Sequence, residues 1–216
     1  AASISSSEIS REQKQGGVPP PEPDSPLLFD NGFGGFDPET HAYRIRVRPD
    51  LLPPQPWSNI LAHEHFGTLT TESAIGSTWF GNSKHGRLSP WSNNPVTDPP
   101  SQIVFLRRKD SNEAFSLTPA PLTKDTPEYI VTHDQGLTEY KSVHGTIRHC
   151  LRVSIDPQES VQYIDIELDH TESRSIEVEC LFFLDAPKTD ETMSDLDSEE
   201  KGNEAERVAI RIDPNA

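Results

Sequence analysis

Hydrophobic and polar residues alternate with a period of two along most of this chain. In residues 43–48, Tyr43, Ile45 and Val47 are separated by arginines. This spacing places the apolar side chains on one face of an extended segment and the guanidinium groups on the other. Residues 175–184 repeat the alternation, with hydrophobic residues set against glutamates. Such a period predicts β-strands with one buried face.

The same pattern predicts about nine strands joined by short turns, and one more near the C-terminus. Long connections of the kind that join parallel strands are missing from the second half, so we expect adjacent antiparallel strands there. Strands with one apolar face bury it between two stacked sheets. The predicted fold is an all-β, antiparallel two-sheet sandwich, with strands at residues 43–48, 66–71, 103–108, 113–118, 129–133, 137–143, 146–155, 161–168, 175–184 and 206–212.

Two polar segments define the expected domain organisation. Residues 1–26 are rich in serine and then in proline, which predicts a disordered tail. Residues 185–206 carry nine acidic residues against two lysines, which is typical of a solvated loop or linker. The β-sandwich is therefore expected over residues 27–184, and residues 207–216 are expected to be the final strand of a truncated domain.

Composition excludes several classes of partner. The net charge of −16 argues against nucleic acid and anionic membranes, because both require basic surfaces. No apolar run is long enough to span a bilayer, and no signal-peptide pattern is present, so we expect a cytoplasmic protein. Cys150 and Cys180 lack C-x-x-C spacing and fall in strand-like runs. Free buried thiols are expected, although a disulfide between them stays open.

Residues 77–100 differ from the rest of the chain in their chemistry. They contain two tryptophans, three asparagines, two basic residues and four prolines, with few aliphatic side chains. Proline fixes φ and removes a backbone donor, so we expect neither a helix nor a regular buried strand here. Indole and amide side chains suit a sugar, whose ring has apolar faces and hydroxyl edges. The alternative is a rigid cover over a sheet edge, with tryptophan filling the core.

Three runs of the sequence resemble one known family. They are FDNGFGGFDPETHAYRI at residues 29–45, the run from PWSNILAHEH to SPWSNNPVTDPP at residues 56–100, and FLRRKDSNEAFSLTPAPL at residues 105–122. In this order they resemble the N-terminal domain of glycoside hydrolase family 94, formerly glycosyltransferase family 36. The resemblance extends from about Phe29 to about Leu184. The PWSN repeats are most similar to those of cyclic β-1,2-glucan synthases and cellobionic acid phosphorylases.

The resemblance implies a galactose-mutarotase-like super-sandwich that works with a separate (α/α)6 catalytic barrel, in cis or in trans. The family's general acid is an Asp of that barrel, so no catalytic residue is assigned here and the chain alone is expected to be inactive. The implied partners are a β-linked oligosaccharide and, in the full-length form, a second copy as a homodimer. Inorganic phosphate would be a co-substrate of the full enzyme, and neither a cofactor nor a metal is implied.

The resemblance also points to six substrate-binding candidates: Trp79, Asn82, Arg87, Trp91, Asn93 and Asn94. The two indoles could stack on a pyranose or fill the core. Adjacent asparagines could bind substrate or the rim of a partner's active site, while Arg87 could reach a hydroxyl, carboxylate or phosphate or form a surface ion pair. Asn82 is expected to shape a turn.

Other polar residues of the region are expected to be structural. Trp57 and Asn59 are expected to support the fold, and Glu72, Asp98 and Asp110 to be turn or surface residues. Relatives tend to have the sequence NSRENRL where this chain has NSKHGRL. Lys84 therefore lacks the bidentate geometry of arginine, His85 replaces a carboxylate and Gly86 replaces an amide. Asn94 stands where relatives often have aspartate. These departures bear on substrate specificity.

Two other functions stay open at this stage. A free-standing carbohydrate-binding or aldose-epimerase-like sandwich would use His63, His149 and Glu72 for proton exchange. A purely structural or interaction domain is the other possibility. A metal site is not expected, because the His63 and His65 pair falls short of the three or four converging ligands that zinc requires.

Overall fold

The computed structural model describes residues 26–91, 94 and 96–185, together with the backbone of residues 205–212. These residues form thirteen strands: β1 (Gly34–Phe36), β2 (Tyr43–Val47), β3 (Ser58–Ala62), β4 (Phe66–Thr71), β5 (Ile75–Phe80), β6 (Gln102–Arg108), β7 (Ala114–Ser116), β8 (Tyr129–Asp134), β9 (Leu137–His144), β10 (Ile147–Ile155), β11 (Gln162–His170), β12 (Ile176–Leu184) and β13 (Ala205–Ile212). The described part of the chain contains no helix.

The strands form two antiparallel sheets. One has six strands in the order β1-β2-β8-β9-β10-β11, and the other has the order β13-β12-β6-β5-β4-β3, with β7 paired to β6. From β8 to β11 the strands are sequential neighbours, as expected for a meander whose turns are short. The predicted all-β, two-sheet antiparallel sandwich is confirmed.

The core lies between the sheets and follows the period of two. It consists of side chains from both sheets, of which the largest fully buried ones are Tyr129, Tyr140, Ile45, Leu61, Ile75, Leu106, Leu117, Ile147, Leu151 and Ile176. Hydrogen bonds between polar side chains and groups of the opposite sheet also join the two sheets. The hydroxyl oxygens of Thr70 and Thr138 are 2.8 Å apart, and Nδ2 of Asn59 donates to the carbonyl oxygen of Asp134 at 2.9 Å. Trp57 packs against the core, so the structural roles expected for Trp57 and Asn59 are confirmed.

The sequence pattern missed two strands, namely β3 and β5. Strand β5 corrects the expectation that residues 77–100 exclude a regular strand, because residues 77–80 belong to it. The prolines of this segment begin only at Pro90, so nothing prevents residues 77–80 from pairing with β4. The segment becomes irregular after Phe80.

The ends of the chain extend beyond what the structure describes. The predicted tail lies outside the described residues apart from Pro26, as does most of the predicted acidic loop. The last strand pairs with β12 in antiparallel register. Cys150 and Cys180 are free thiols, one in the six-stranded and one in the seven-stranded sheet.

Candidate functional site

Trp79, near the end of β5, lies on the outer face of the seven-stranded sheet. Gly67 and Trp79 are paired across β4 and β5, and a Cβ at Gly67 would lie 2.5 Å from Cζ2 of Trp79. The indole therefore covers the glycine closely. Since Thr68 and Thr70 contact the six-stranded sheet, the alternate position Gly67 faces away from the sandwich interior. Trp79 covers this outer face and does not fill the core between the sheets.

Residues 81–89, the turn half of the loop between β5 and β6, are held by their own hydrogen bonds. Oδ1 of Asn82 accepts from the backbone N–H of Lys84 at 2.8 Å, and Nε of Arg87 donates to the carbonyl oxygen of Ser83 at 3.1 Å. A Cβ at Gly86 would collide with the backbone carbonyl of Phe80. This close approach explains why glycine fits at position 86 and a residue with a Cβ atom does not. Asn82 shapes the turn, as expected.

Residues 90–99 are called the cleft half of the loop, because the described residues among them border an open cleft of about 280 Å³. Its floor comes from β4 and β5, one wall from the chain just before β3 and from the first residue of that strand, and the other wall from the loop. The lining residues are Gln55, Pro56, Ser58, Leu69, Thr71, Gly76, Ser77, Pro90, Trp91, Asn94, Asp98 and Pro99. Two sheet strands thus form a rigid floor beneath a wall rich in proline.

The structure separates the five described candidates: Trp91 and Asn94 lie in the cleft half, Asn82 and Arg87 in the turn half, and Trp79 in β5. Trp91 and Asn94 line the cleft, and the Trp91 side chain is 44% exposed. By contrast, Trp79, Asn82 and Arg87 are absent from the cleft lining. Asn93 lies outside the described residues. The described residues from Trp79 to Asn94 therefore do not all face the cleft.

Asn94 also has a local role. Its Oδ1 accepts hydrogen bonds from the backbone N–H groups of Val96 at 3.0 Å and Thr97 at 3.3 Å. This is an Asx turn, and the N–H of Asp98 closes it further by donating to the Asn94 carbonyl oxygen at 3.0 Å. The amide oxygen is used to shape the wall of the cleft.

The cleft also contains a pair of polar residues that was not predicted from the sequence. Oγ1 of Thr71 donates to Oδ2 of Asp98 at 2.7 Å, and both residues line the cleft. Burial raises the pKa of Asp98, while the Thr71 hydrogen bond opposes that rise. Asp98 has a φ of 32°, a region where aspartate and asparagine are enriched. No local sequence signal marks this contact, which joins residues 27 positions apart.

Glu72 lies directly beside this pair and is only 4% exposed. The expectation that it lies at the surface was wrong, although it does occupy a turn, closed by the N–H of Thr71 and the carbonyl oxygen of Ala74 at 2.9 Å. Its Oε2 accepts from the backbone N–H of Trp57 at 2.7 Å. Burial is the main cause that raises the pKa of Glu72 to about 7, and the Asp98 charge adds to the rise.

Tyr140 holds the same turn from inside the sandwich. Its hydroxyl lies 2.8 Å from the carbonyl oxygen of Thr71 and 2.9 Å from that of Ala74. Because the tyrosine is fully buried, these contacts couple the floor of the cleft to the core. Asp110, in contrast, sits in the β6–β7 turn and pairs with Arg108 and Arg174, as expected for a turn residue.

Within the described residues, the candidates for the alternative sites contact separate partners. No group of three His, Cys, Asp or Glu residues is arranged for a metal ion within the described ranges. The candidates for epimerase-like chemistry have separate partners: Nε2 of His63 lies 3.1 Å from the Glu159 carbonyl oxygen, and Nε2 of His149 lies 3.1 Å from that of Leu117. Those contacts and the Trp57 contact of Glu72 involve three different parts of the chain.

Comparison with known proteins identifies the family. The family model described as the supersandwich domain of glycosyl hydrolase 94 matches residues 41–210. The chain belongs to glycosyl hydrolase family 94. The match covers β2 to β12 and most of β13, and it includes the cleft and both halves of the loop. The described residues contain no helix long and apolar enough to cross a membrane.

Three curated relatives are much longer than this chain. The cyclic beta-(1,2)-glucan synthase NdvB of Rhizobium meliloti is 30% identical over 121 residues, which is 56% of this chain and 4% of the relative. The N,N'-diacetylchitobiose phosphorylase of Vibrio proteolyticus is 24% identical over 71% of this chain and 19% of its own length. That of Vibrio furnissii is 26% identical over 64% of this chain and 17% of its own length. The chain therefore spans less than a fifth of each.

Proposed function

We propose that this supersandwich is the accessory, carbohydrate-contacting domain of an inverting glycoside phosphorylase or of a glycosyltransferase resembling the cyclic β-1,2-glucan synthases. In this proposal a separate (α/α)6 catalytic barrel supplies the general acid, in cis or in trans, and the sandwich alone is inactive. The observation that carries the proposal is the cleft of about 280 Å³ lined by Trp91 and Asn94, inside the region that matches the family.

The shape and chemistry of the cleft support a sugar ligand. Small-molecule sites combine apolar walls with a few fixed polar groups, and here Trp91 and three prolines stand beside Asn94 and the Thr71–Asp98 pair. The relatives' printed names include a beta-(1,2)-glucan synthase and chitobiose phosphorylases. A β-linked oligosaccharide is therefore the proposed substrate class, and the linkage is left open between these activities.

The turn half of the loop has a different proposed role. Arg87 and Lys84 are exposed there, and a basic group is what a phosphate or the edge of an acidic partner requires. We propose that this half, with Trp79 and Asn82 at its base, borders the active site of the catalytic barrel or of a second copy in a homodimer. Asn93 joins the cleft half in this proposal. Inorganic phosphate would then be a co-substrate held by the complete enzyme, and no cofactor is required.

The test is a comparison of two substitutions in the complete enzyme that contains this domain. Trp91→Ala removes the exposed indole from the cleft, and we expect KM for the oligosaccharide to rise by about 5- to 10-fold with a smaller change in kcat, since the lost contact is worth ~1 kcal/mol. Phe29→Ala is the matched control, because Phe29 is 87% exposed and lies outside the cleft. An unchanged KM for Trp91→Ala would contradict the proposed function.

A second measurement separates the accessory role from a free-standing enzyme. The 216-residue chain alone should release no glucose 1-phosphate from β-glucosides in the presence of phosphate, and it should not accelerate interconversion of sugar anomers. Activity in the first assay would refute the accessory role. Activity in the second would favour the epimerase-like alternative instead.

A further inference from the structure

The cleft has one ionisable lining residue, and that residue is acidic. Among the described residues that line it, Asp98 alone carries a titratable side chain. Its Oδ2 accepts from Thr71 at 2.7 Å, and no described residue donates to Oδ1. Asp98 is partly exposed, so this second oxygen has room for a donor from a ligand. Carboxylates accept hydrogen bonds and donate none when ionised.

The Glu72 carboxyl adds negative charge near Asp98 when it ionises, at pH values above its pKa of about 7. The Glu72 carboxyl lies behind the cleft wall, close enough for the Asp98 charge to raise its pKa. The two basic side chains of the loop are in the turn half: Nε of Arg87 donates to Ser83, and neither Arg87 nor Lys84 lines the cleft. Because no described lining residue is basic, an anion entering the cleft would meet repulsion that none of these residues offsets, which is costly at short range.

The remaining lining fits an uncharged ring. Trp91 offers a half-exposed aromatic face, and Gln55 and Ser58 provide amide and hydroxyl groups on the opposite wall. A volume of about 280 Å³ lies just below the range of roughly 300–1,000 Å³ found for small-molecule sites. One pyranose ring fits this size better than a longer glycan.

We propose that the cleft is a subsite for one neutral sugar ring, in which Asp98 accepts hydrogen bonds from ring hydroxyls while Trp91 lies against a C–H face, and that it rejects sugars bearing carboxylate or phosphate. This inference rests on the proposed function and adds the substrate class to it. It also assigns phosphate and acidic sugars to the turn half or to the catalytic barrel.

The experiment compares two ligands that differ in one group. Methyl β-glucoside and methyl β-glucuronide share the pyranose ring, but the second replaces the hydroxymethyl group by a carboxylate. Binding of each to the 216-residue chain at pH 8 is followed by NMR through the indole N–H signal of Trp91. We expect the glucoside to bind at least about 10-fold more tightly and to shift that signal, and glucose 1-phosphate to behave like the glucuronide.

The variant Asp98→Asn makes the test specific to this residue. Asparagine keeps the size of the side chain and tolerates the positive φ, while the charge is lost. Replacing a charge-assisted by a neutral hydrogen bond should weaken glucoside binding by about 10-fold, and discrimination against the glucuronide should largely disappear. Asp125→Asn, an exposed substitution outside the cleft, should change neither value.

Several outcomes would overturn the proposal. These are equal affinity for glucoside and glucuronide, glucoside binding that leaves the Trp91 signal in place, an Asp98→Asn variant with unchanged discrimination, and no binding of any of the three sugars. The proposed function is judged separately, because it depends on the KM of the complete enzyme with Trp91→Ala. If Trp91→Ala raised KM as expected but the cleft did not discriminate against charged sugars, the inference would be refuted and the proposed function would remain supported.

Discussion

Two clusters of ionisable side chains among the described residues respond to pH in opposite directions. The carboxyl cluster consists of Glu72 and Asp98 beneath and beside the cleft, where burial raises the pKa of both carboxyls. The histidine cluster consists of His144 and His149, where burial lowers the pKa of the imidazoles to about 4 and about 3. In each case desolvation favours the neutral form. The same physical cause therefore stabilises the carboxyl cluster in acid and the histidine cluster in base.

Hydrogen bonds define the neutral state of the histidine cluster. Nε2 of His149 faces the Leu117 carbonyl oxygen, which only accepts, so this nitrogen carries the proton. The Tyr129 hydroxyl lies 2.7 Å from the Ser116 carbonyl oxygen and 2.7 Å from Nε2 of His144. Because Tyr129 has one proton to donate to Ser116, His144 also carries its proton on Nε2. Nδ1 of His149 has no partner in the described structure, and a second proton there would be buried unpaired.

The largest expected effect is acid destabilisation through the histidine cluster. The folded-state pKa values lie below the ordinary value of 6.5, so this contribution is fully present above pH 6.5 and is lost as pH falls towards 4 and below. The loss should reach roughly 3–5 kcal/mol by pH 3. Urea unfolding between pH 7 and pH 3 measures it.

His149→Gln is the variant that tests the origin of this loss. Glutamine can still donate to the Leu117 carbonyl oxygen but does not titrate, so the free energy of unfolding should depend less steeply on pH below 6. His65→Gln, at an exposed site, should keep the wild-type slope. Equal slopes for all three proteins would show that His149 does not control acid stability.

The second effect has the opposite sign and comes from Glu72. Its folded-state pKa of about 7 lies above the ordinary value of 4.5, so its contribution is fully present below pH 4.5 and is lost as pH rises to about 7. Glu72→Gln keeps an acceptor for the Trp57 N–H without the buried charge. The variant should be more stable than wild type by about 2–3 kcal/mol at pH 8, and the gain should vanish at pH 4.5.

Chemical denaturation at these two pH values checks the Glu72 prediction. Glu64→Gln is the matched control, since the Glu64 side chain is 85% exposed and should give no gain at either pH. A Glu72→Gln variant with the same advantage at both pH values would mean that packing, and not ionisation, distinguishes it from wild type. Such a result would contradict the opposite pH responses expected for the two clusters.

A smaller effect is expected from the contact that joins the cleft floor to the core. Tyr140→Phe removes the hydroxyl that lies against the carbonyl oxygens of Thr71 and Ala74 while keeping the ring. We expect a loss of about 1–2 kcal/mol, because two buried acceptors lose a donor. Tyr163→Phe serves as the control, since that hydroxyl is exposed and contacts only Asp156. Thermal unfolding of both variants gives the comparison.

The period of two was enough to predict the sheets but not the carboxyl cluster. Alternation in residues 43–48 and 175–184 reports burial of one face directly, and β2 and β12 form there. Strand β3 was missed because Ile60 and Leu61 are adjacent apolar residues, one exposed and one buried. Short edge strands of this kind carry little periodic signal.

The candidate site was predictable only in part, for a physical reason. Trp91 and Asn94 could be proposed from composition and resemblance, and both line the cleft. The Thr71–Asp98 contact joins residues that are 27 positions apart, and nothing in the local sequence of either residue predicts it. Burial of Glu72 likewise depends on the Trp57 segment that packs over it. Long-range contacts of this kind appear only once the chain is folded.

The smallest effect sharpens the role of Thr71 within the carboxyl cluster. Thr71→Val keeps the branched shape but removes the hydroxyl that donates to Asp98 and accepts from the backbone N–H groups of Ser73 and Ala74, each at 3.2 Å. We expect a loss of about 1 kcal/mol in the free energy of unfolding. Because this hydrogen bond lowers the pKa of Asp98, its removal should raise that pKa further. Carbon-detected NMR titration of the Asp98 carboxyl measures the shift.

Thr97→Val, with an exposed side chain in the same loop, should leave the titration unchanged. A wild-type Asp98 titration in Thr71→Val would mean that burial alone sets the proton affinity of the cleft, and Asp98 would then be available to a ligand without the help of Thr71.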